Sequence, residues 1–350
     1  MIKRPPAPKS LAECLADLPK NHGYWEDEAC YMSLNKPLDG QGRYLPFADL
    51  RYRWPKGLDG NLCWAIVRSA RVESQAPIMP PDIFGKQCFW FQTPALLHAI
   101  EKVNEVDMLE PFNSSPLELD SSSKIARLMR SEAIHSSRLE GASTSTKDAE
   151  EMLRRNRKPL NESERMIDGN YRLMRSAWQM RNHPPTVELI EAFHSSGMSA
   201  IDDAKYSPGC FRAGNDVVVQ DGDGNVVHTP PEASGIARRL ESLMGWINEP
   251  HPALHPLVKA CALHFAIGYE HPFRDGNGRV ARALFYWFMF KSGYKSFLYI
   301  SISEKILVAP QKYGQSYVYT ETDEMDLTYF LDYQAKIISS AIDSYIAEIS

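Results

Sequence analysis

The residues of this chain that are best suited to chemistry lie in one short stretch, 271–282, with the sequence HPFRDGNGRVAR. His271 is the side chain there that can accept a proton near neutral pH. Asp275 supplies a hard oxygen donor of the kind that Mg²⁺ prefers. Gly276 and Gly278 let the backbone approach a ligand closely. Together these residues predict chemistry on the phosphate groups of a nucleotide.

The elements around this stretch are predicted to be a helix, a loop and a second helix. Residues 280–290 are strongly apolar, so the loop sits at a helix N-terminus, where unpaired N–H groups and the helix dipole favour phosphate. Arg279 and Arg282 lie three residues apart on one face of that helix, and planar guanidinium groups suit phosphate oxygens. Residues 257–266 have the apolar density of a buried helix that runs into the loop.

At every defined position the stretch resembles the signature of the Fic family, His-x-Phe-x-(Asp/Glu)-Gly-Asn-Gly-Arg-x-x-Arg. The resemblance implies a protein adenylyltransferase, in which His271 deprotonates a Ser, Thr or Tyr hydroxyl of a target protein. That hydroxyl attacks the α-phosphate of the substrate ATP, pyrophosphate leaves, and the target carries AMP. Asp275 would hold Mg²⁺, and Arg282 would pair with the γ-phosphate. The other phosphate-binding residues that the resemblance implies are Gly276, Asn277, Gly278 and Arg279.

A second pattern, residues 136–141, resembles the inhibitory segment of the Fic class that carries an N-terminal inhibitory helix. Ser136 and Glu140 are four residues apart and share a face of a helix predicted over 124–139, and Gly141 is a suitable helix stop. The resemblance implies that the Glu140 carboxylate pairs with Arg282 and repels the γ-phosphate. The enzyme is then expected to be held nearly inactive.

Between the two patterns, short β-branched runs on either side of an Asp/Gly turn predict a β-hairpin over residues 215–229. In Fic proteins a hairpin in this position, the flap, binds the target by strand addition. The docking residues implied here are Val217, Val218, Val219 and Gln220. A plain surface hairpin is the alternative.

The adenine base needs an aromatic or apolar wall. In related Fic proteins a Tyr-Tyr pair after the catalytic helix meets the base, whereas Tyr313 of this chain is followed by Gly314. Tyr317 and Tyr319 lie nearby. Tyr313 is the candidate contact, and an ordinary core tyrosine is an equal alternative.

Composition indicates which partners and which cellular compartment to expect. A net charge of −5 over 350 residues argues against a nucleic-acid surface, since the predicted phosphate binding is local. Six cysteines without framework spacing predict reduced thiols. Neither a membrane span nor a signal peptide is evident, so we expect a cytoplasmic protein.

The predicted fold is mainly α, a Fic-type helical bundle with a β-hairpin flap. A small α+β extension is expected over 1–115, a linker and inhibitory helix over 116–145, and the catalytic domain over 146–350. Further helices are predicted at 147–156, 163–180, 186–198, 232–247 and 327–349.

Two other classes of function remain open at this point. The same site could remove AMP, with Glu140 positioning water, or transfer another nucleotide or a phosphoryl group. A non-enzymatic module that senses nucleotides is the weaker choice, because no member of the signature is altered. Self-modification and homo-oligomer formation are open as well.

Overall fold

The fold is described from a computed structural model over residues 4–6, 9–109, 123–199 and 207–349. The predicted linker, up to residue 122, lies outside the described residues. The described chain is mainly helical, as predicted. The helices are α1 Leu11–Ala16, α2 Tyr24–Met32, α3 Phe47–Leu50, α4 Gly60–Ser74, α5 Pro94–Asp107, α6 Ser123–Leu139, α7 Thr146–Arg154, α8 Glu162–Gln179, α9 Val187–Met198, α10 Ile236–Asn248, α11 Pro256–Glu270, α12 Asn277–Lys291, α13 Ile302–Val308, α14 Pro310–Thr322 and α15 Thr328–Ile349.

Helices α11 and α12, which lie on either side of the loop at residues 271–276, form the centre of the core. In α12 every residue from Arg279 to Phe290 is buried, and α11 is buried along most of its length. A helix that is apolar on all sides must be covered on all sides. Helices α8, α9 and α15 provide much of that cover. The loop between α11 and α12 is therefore held at both ends by rigid elements.

Polar side chains fix where the surrounding helices begin. The side chains of Ser145, Asn161 and Thr186 accept hydrogen bonds from backbone N–H groups in the first turns of α7, α8 and α9. Such N-caps satisfy donors that a helix leaves unpaired and stabilise it by about 1 kcal/mol each. The first residue of each of these three helices therefore lies within one residue of the start predicted from the sequence.

The described strands form two small antiparallel pairs. Strand β1, Ala76–Ile78, pairs with β2, Cys88–Trp90. Strand β3, Val219–Gln220, pairs with β4, Val226–His228, which confirms the predicted hairpin. Strand β2 also bonds to the segment before α15, where the Leu327 N–H donates to the Phe89 carbonyl at 2.8 Å. The region before residue 110 is thereby joined to the start of α15.

Helices α13 and α14 were not predicted, and they connect α12 to α15. Pro310 opens α14 and Ser301 caps α13, but α13 is only seven residues long, and a glycine, a serine and three tyrosines dilute the apolar pattern of α14. In the described ranges no helix is long and apolar enough to cross a bilayer.

Candidate active site

His271, the candidate base, caps the C-terminal end of α11. Its φ and ψ of 48° and 56° lie in the left-handed region, so the chain turns sharply out of the helix. Its Nδ1 lies 3.3 Å from the carbonyl oxygen of Gly268, which can only accept, so Nδ1 carries the proton and Nε2 keeps its lone pair. Burial lowers the pKa of His271 to about 4. The ring is therefore neutral at pH 7 and can accept a proton.

Asn277 closes the loop between the two helices. Its Oδ1 accepts a hydrogen bond from the Phe273 N–H at 2.9 Å, and its Nδ2 donates to the Phe273 carbonyl at 2.8 Å. Gly276, with φ of 79°, turns the chain into α12. The Asn277 side chain is thus engaged within the loop. What Asn277 offers an anion is its backbone N–H in the first turn of the helix.

Arg282 is only 1% exposed and contacts the segment predicted to be inhibitory. Its Nε donates to Ser136 Oγ at 2.9 Å, and its Nη2 donates to the Ser136 carbonyl at 3.0 Å and to Glu140 Oε1 at 2.8 Å. Burial raises the pKa of the Glu140 carboxyl, but the charge and hydrogen bond of Arg282 outweigh burial and leave that pKa lowered. An ionised carboxylate is therefore paired with Arg282 at neutral pH.

The Glu140 carboxylate also lies directly over the glycine loop. A Cβ atom on Gly278 would come within 2.2 Å of Glu140 Oε1 and 3.0 Å of Arg282 Nη1. This Nη1 is buried and has no hydrogen-bond partner in the described chain. A helix N-terminus and a guanidinium group together attract an anion. In this structure the anion that lies there is the carboxylate of Glu140.

A buried acid farther upstream fastens α6 to the bundle. Glu132 is 2% exposed and accepts hydrogen bonds from the Tyr286 hydroxyl at 3.0 Å, from the Ser301 hydroxyl at 2.7 Å and from the N–H and hydroxyl of Ser303. The helix then ends as predicted, because Gly141 has φ of 96°. The position of Glu140 thus depends on a well-anchored helix.

Asp275 is the acidic residue of the loop and the candidate metal ligand. Its side chain is 36% exposed, its Oδ1 accepts the Gly276 N–H at 2.5 Å, and Arg279 Nη2 lies 3.6 Å from the same oxygen. Over the residues that the structure describes, no group of three or more His, Cys, Asp or Glu side chains could hold a metal. Mg²⁺ commonly binds through one or two carboxylates plus substrate phosphates. Asp275 fits this kind of site, in which the nucleotide brings further ligands.

The hairpin formed by β3 and β4 is attached at its base to the loop between α11 and α12. The Arg212 guanidinium donates from Nε to the His271 carbonyl at 2.9 Å, and the Arg212 N–H donates to the Pro272 carbonyl at 2.9 Å. Arg274 and Asp216 form an ion pair at 3.1 Å. These contacts hold the start of the hairpin beside the candidate base.

The predicted docking residues alternate along the first arm of the flap. Val218 and Gln220 are exposed, and Val217 and Val219 are half-buried. The second arm is fixed by His228, whose ring nitrogens lie 2.7 Å from the Tyr269 carbonyl oxygen and 2.8 Å from a Glu321 carboxylate oxygen. The flap therefore has one anchored arm and one arm with exposed side chains.

Tyr313 lies on α14 and is half-buried near Arg282. Its hydroxyl is 2.8 Å from His264 Nε2 and 3.3 Å from the Tyr317 hydroxyl. His264 is fully buried, and burial holds its pKa well below the ordinary value. Tyr319 lies elsewhere, 6.0 Å from the ring of Tyr329. The structure brings Tyr313 and Tyr317 together but leaves Tyr319 apart.

Three buried polar residues that contact the site were not singled out from the sequence as site residues: His194, Arg212 and Glu132. The sequence does contain a signal for them, because each is a polar residue next to an apolar one. A polar side chain that is buried in this way needs a hydrogen-bond partner. The identity of those partners depends on contacts between distant parts of the chain.

The part of the chain that contains this site is similar in sequence to known proteins. The sequence model of the Fic/DOC family matches residues 184–289, which include the whole stretch 271–282. Residues 184–289 form a Fic domain. A protein adenylyltransferase Fic of Nematostella vectensis is 27% identical over 122 residues, which are 34% of this chain and 26% of that protein. The corresponding protein of Drosophila melanogaster is 26% identical over 121 residues, or 34% of this chain and 23% of that one.

Solved structures show that the likeness in fold extends beyond the Fic domain. Fic-1 of C. elegans (residues 134–508) has a TM-score of 0.58 at 17% identity, over 97% of this chain and 91% of that one. A Fic family protein of Desulfovibrio desulfuricans has a TM-score of 0.59 at 19% identity, over 73% and 75% of the two chains. The chain matches about a quarter of the length of the curated relatives.

Proposed function

We propose that this Fic protein is an autoinhibited protein adenylyltransferase, which transfers AMP from ATP to a Ser, Thr or Tyr hydroxyl of a target protein. One observation carries the proposal. The buried Arg282 has an unpaired Nη1 beside Gly278, while its Nη2 is bonded to the Glu140 carboxylate. A positive group at a helix N-terminus, covered by an acid of the same chain, is the arrangement expected of a phosphate site held closed.

The triphosphate would bind at the first turn of α12. Backbone N–H groups of Asn277 and Gly278 and the guanidinium groups of Arg279 and Arg282 supply donors for its oxygens. Asp275 would hold Mg²⁺, which neutralises charge on the phosphates. Tyr313, which lies near the start of α14 and close to Arg282, is proposed to contact the adenine base.

Transfer would use His271 as the general base. Its Nε2 takes the proton of the target hydroxyl, and the oxygen attacks the α-phosphorus. The bond from that phosphorus to the bridging oxygen of the β-phosphate breaks, pyrophosphate leaves, and AMP stays on the target as a phosphodiester. The neutral ring that burial imposes on His271 is the form needed for this step.

Inhibition would result from competition for Arg282. The Glu140 carboxylate fills the place where the γ-phosphate needs its guanidinium partner, and its charge repels that phosphate. ATP that binds beside Glu140 would then present its α-phosphate out of line for attack. Removal of the carboxylate is expected to restore productive binding.

The target is proposed to add a strand along the arm formed by Val217, Val218, Val219 and Gln220. Main-chain hydrogen bonds along such an edge give affinity with little dependence on side chains, and the register brings one hydroxyl to the base. Because Arg212 joins the base of the flap to the His271 carbonyl, a docked strand would lie beside the nucleophile's proton acceptor.

The test uses the full chain carrying Glu140→Gly with ATP labelled at the α-phosphate or, in a parallel sample, at the γ-phosphate. Self-modification by α-label without γ-label is expected, together with release of pyrophosphate. Adding His271→Ala should abolish labelling, whereas adding His98→Ala, an exposed position on α5, should not. Transfer of the γ-label, or labelling from CTP or UTP but not ATP, would overturn the proposal.

A further inference from the structure

We infer that His194 is a positioning residue, which fixes the backbone of Asp275 and thereby sets the metal ligand in place. The inference rests on the proposed function, because it assigns a role within that same site. His194 lies on α9, 81 residues before Asp275, and is fully buried. Its ring touches the loop without belonging to it.

The hydrogen bonds of the ring determine its tautomer. The backbone N–H of Gly209 donates to His194 Nδ1 at 2.9 Å, so Nδ1 must carry the lone pair. The proton is then on Nε2, which lies 3.0 Å from the Asp275 carbonyl oxygen and donates to it. Each ring nitrogen thus has one partner of the matching kind. This is the arrangement in which a neutral imidazole can orient a neighbour without a competing alternative.

Packing adds to the hydrogen bonds. The imidazole stacks on the Phe273 ring with centroids 3.7 Å apart and planes at 2°. A Cβ on Gly276 would lie 3.5 Å from the His194 ring and 2.9 Å from the Met198 sulfur. The loop therefore contacts the His194 ring at Phe273, at Asp275 and at Gly276. Asp275, in the middle, has its carbonyl held and its carboxylate left partly exposed.

The same ring also connects the loop to the base of the flap. Gly209 begins the segment that leads to Phe211, whose ring lies 5.3 Å from that of Phe273, and to Arg212, which bonds the His271 carbonyl. His194 is thus the point at which α9, the flap base and the anion loop meet. A residue placed in this way controls geometry at the metal ligand without touching substrate. Groups in such positions typically change metal affinity by about 10- to 100-fold when replaced.

Two substitutions separate the two hydrogen bonds. Glutamine can place a donor where Nε2 lies, so His194→Gln keeps the bond to Asp275 and loses the acceptor for Gly209. Asparagine can place an acceptor where Nδ1 lies, so His194→Asn keeps the bond to Gly209 and loses the donor to Asp275. Both lose the ring stacked on Phe273. A purely structural role would affect the two variants alike.

The experiment titrates Mn²⁺ into each variant, in the full chain carrying Glu140→Gly with saturating ADP, and follows bound Mn²⁺ by electron paramagnetic resonance. His194→Asn is expected to weaken Mn²⁺ binding about tenfold or more, and His194→Gln to stay within about threefold of the parent. ADP affinity in EDTA should change less than twofold in either. Equal Mn²⁺ affinities for the two variants, or a parallel loss of metal-free ADP binding, would overturn the inference.

A measurement on the unsubstituted ring covers the case in which a variant does not fold. Long-range ¹⁵N–¹H spectra of the histidine-labelled wild-type protein should show His194 protonated at Nε2 and unprotonated at Nδ1. The opposite tautomer would overturn the inference. Absence of AMP transfer by the Glu140→Gly parent would refute the proposed function alone, because the Mn²⁺ titration and the spectra do not depend on transfer.

Discussion

Replacement of Glu132 by glutamine is expected to loosen the inhibitory helix and to raise basal AMP transfer. Glu132 lies about two turns before Glu140, and its carboxylate accepts four hydrogen bonds from Tyr286, Ser301 and Ser303. No cation is bonded to this carboxylate among the described residues, so its stability depends on those donors. Glutamine keeps the shape but removes the charge.

The cost can be estimated from the bonds that weaken. A hydrogen bond to a charged group contributes about 1.5–3 kcal/mol and a neutral one about 1 kcal/mol. The Ser303 hydroxyl can reverse and accept from the new amide, which leaves three donors facing a neutral oxygen. A loss of about 1 kcal/mol at each predicts that Glu132→Gln lowers the free energy of unfolding by about 3 kcal/mol.

The effect on transfer follows if the same bonds hold Glu140 against Arg282. A loss of about 3 kcal/mol could shift the docked helix toward release by up to about 100-fold. Helix α6 is also held by Ser137 Oγ, which donates to the Met166 carbonyl, and by the Ala133 carbonyl, which accepts from Asn170 Nδ2, so a smaller gain is expected. The rate of AMP transfer by Glu140→Gly is the upper limit expected for Glu132→Gln. Initial rates with α-labelled ATP and thermal unfolding of the same samples measure both effects.

Controls distinguish anchoring from general loss of stability. Glu150→Gln, at an exposed position of α7, should change neither transfer nor unfolding. The double variant Glu132→Gln, Glu140→Gly should transfer no faster than Glu140→Gly while still losing stability. If Glu132→Gln unfolds more easily but keeps the wild-type basal rate, the anchor does not govern Glu140.

Other expectations concern the same loop. Gly278→Ala should destabilise the wild type by about 1–3 kcal/mol more than the Glu140→Gly protein, because the added Cβ meets the carboxylate; equal shifts in melting temperature in the two backgrounds would show that the carboxylate is not there. Because burial lowers the pKa of His271 to about 4, transfer by Glu140→Gly should stay level from pH 8 to about pH 5 and fall below that; a pH–rate profile that falls at pH 6.5 would contradict this. Burial also lowers the pKa of His194 to about 4, so the unfolded chain binds a proton that the folded chain excludes between about pH 6.5 and pH 4. Its contribution to the free energy of unfolding is complete above pH 6.5 and falls by about 3 kcal/mol toward pH 4. Between these two pH values the wild type should therefore lose about 3 kcal/mol more than His194→Gln, and equal losses in the two proteins would contradict this.

The sequence predicts the elements whose pattern is local. The apolar runs before and after the glycines predict α11 and α12, and Gly141 predicts the end of α6, because these signals lie within the element itself. The turn at 221–224 likewise predicts the flap hairpin, which the structure confirms. Helix α13 was not predicted because its seven residues are too few to show a helical period, and α14 was not predicted because polar residues and a glycine interrupt its apolar positions.

The positions that sequence could not supply depend on long-range contacts. Glu132 meets Ser303 across 171 residues, and His194 meets Asp275 across 81. Each side chain looks ordinary in its own helix, and its role follows from packing that brings a distant donor or acceptor within reach. Asn277 shows the converse, because its place in the signature suggests phosphate, whereas its amide is bonded within the loop.

In the proposed mechanism Glu140 occupies the γ-phosphate's place at Arg282. ADP lacks that phosphate, so the affinities of ATP and ADP, measured by calorimetry in wild type and Glu140→Gly, test the claim most directly. The pair at 2.8 Å is a charge-assisted bond of about 1.5–3 kcal/mol, which predicts that Glu140→Gly binds ATP about 10- to 100-fold more tightly. ADP affinity should change less than threefold. Equal gains for ATP and ADP, or no gain for ATP, would contradict the account.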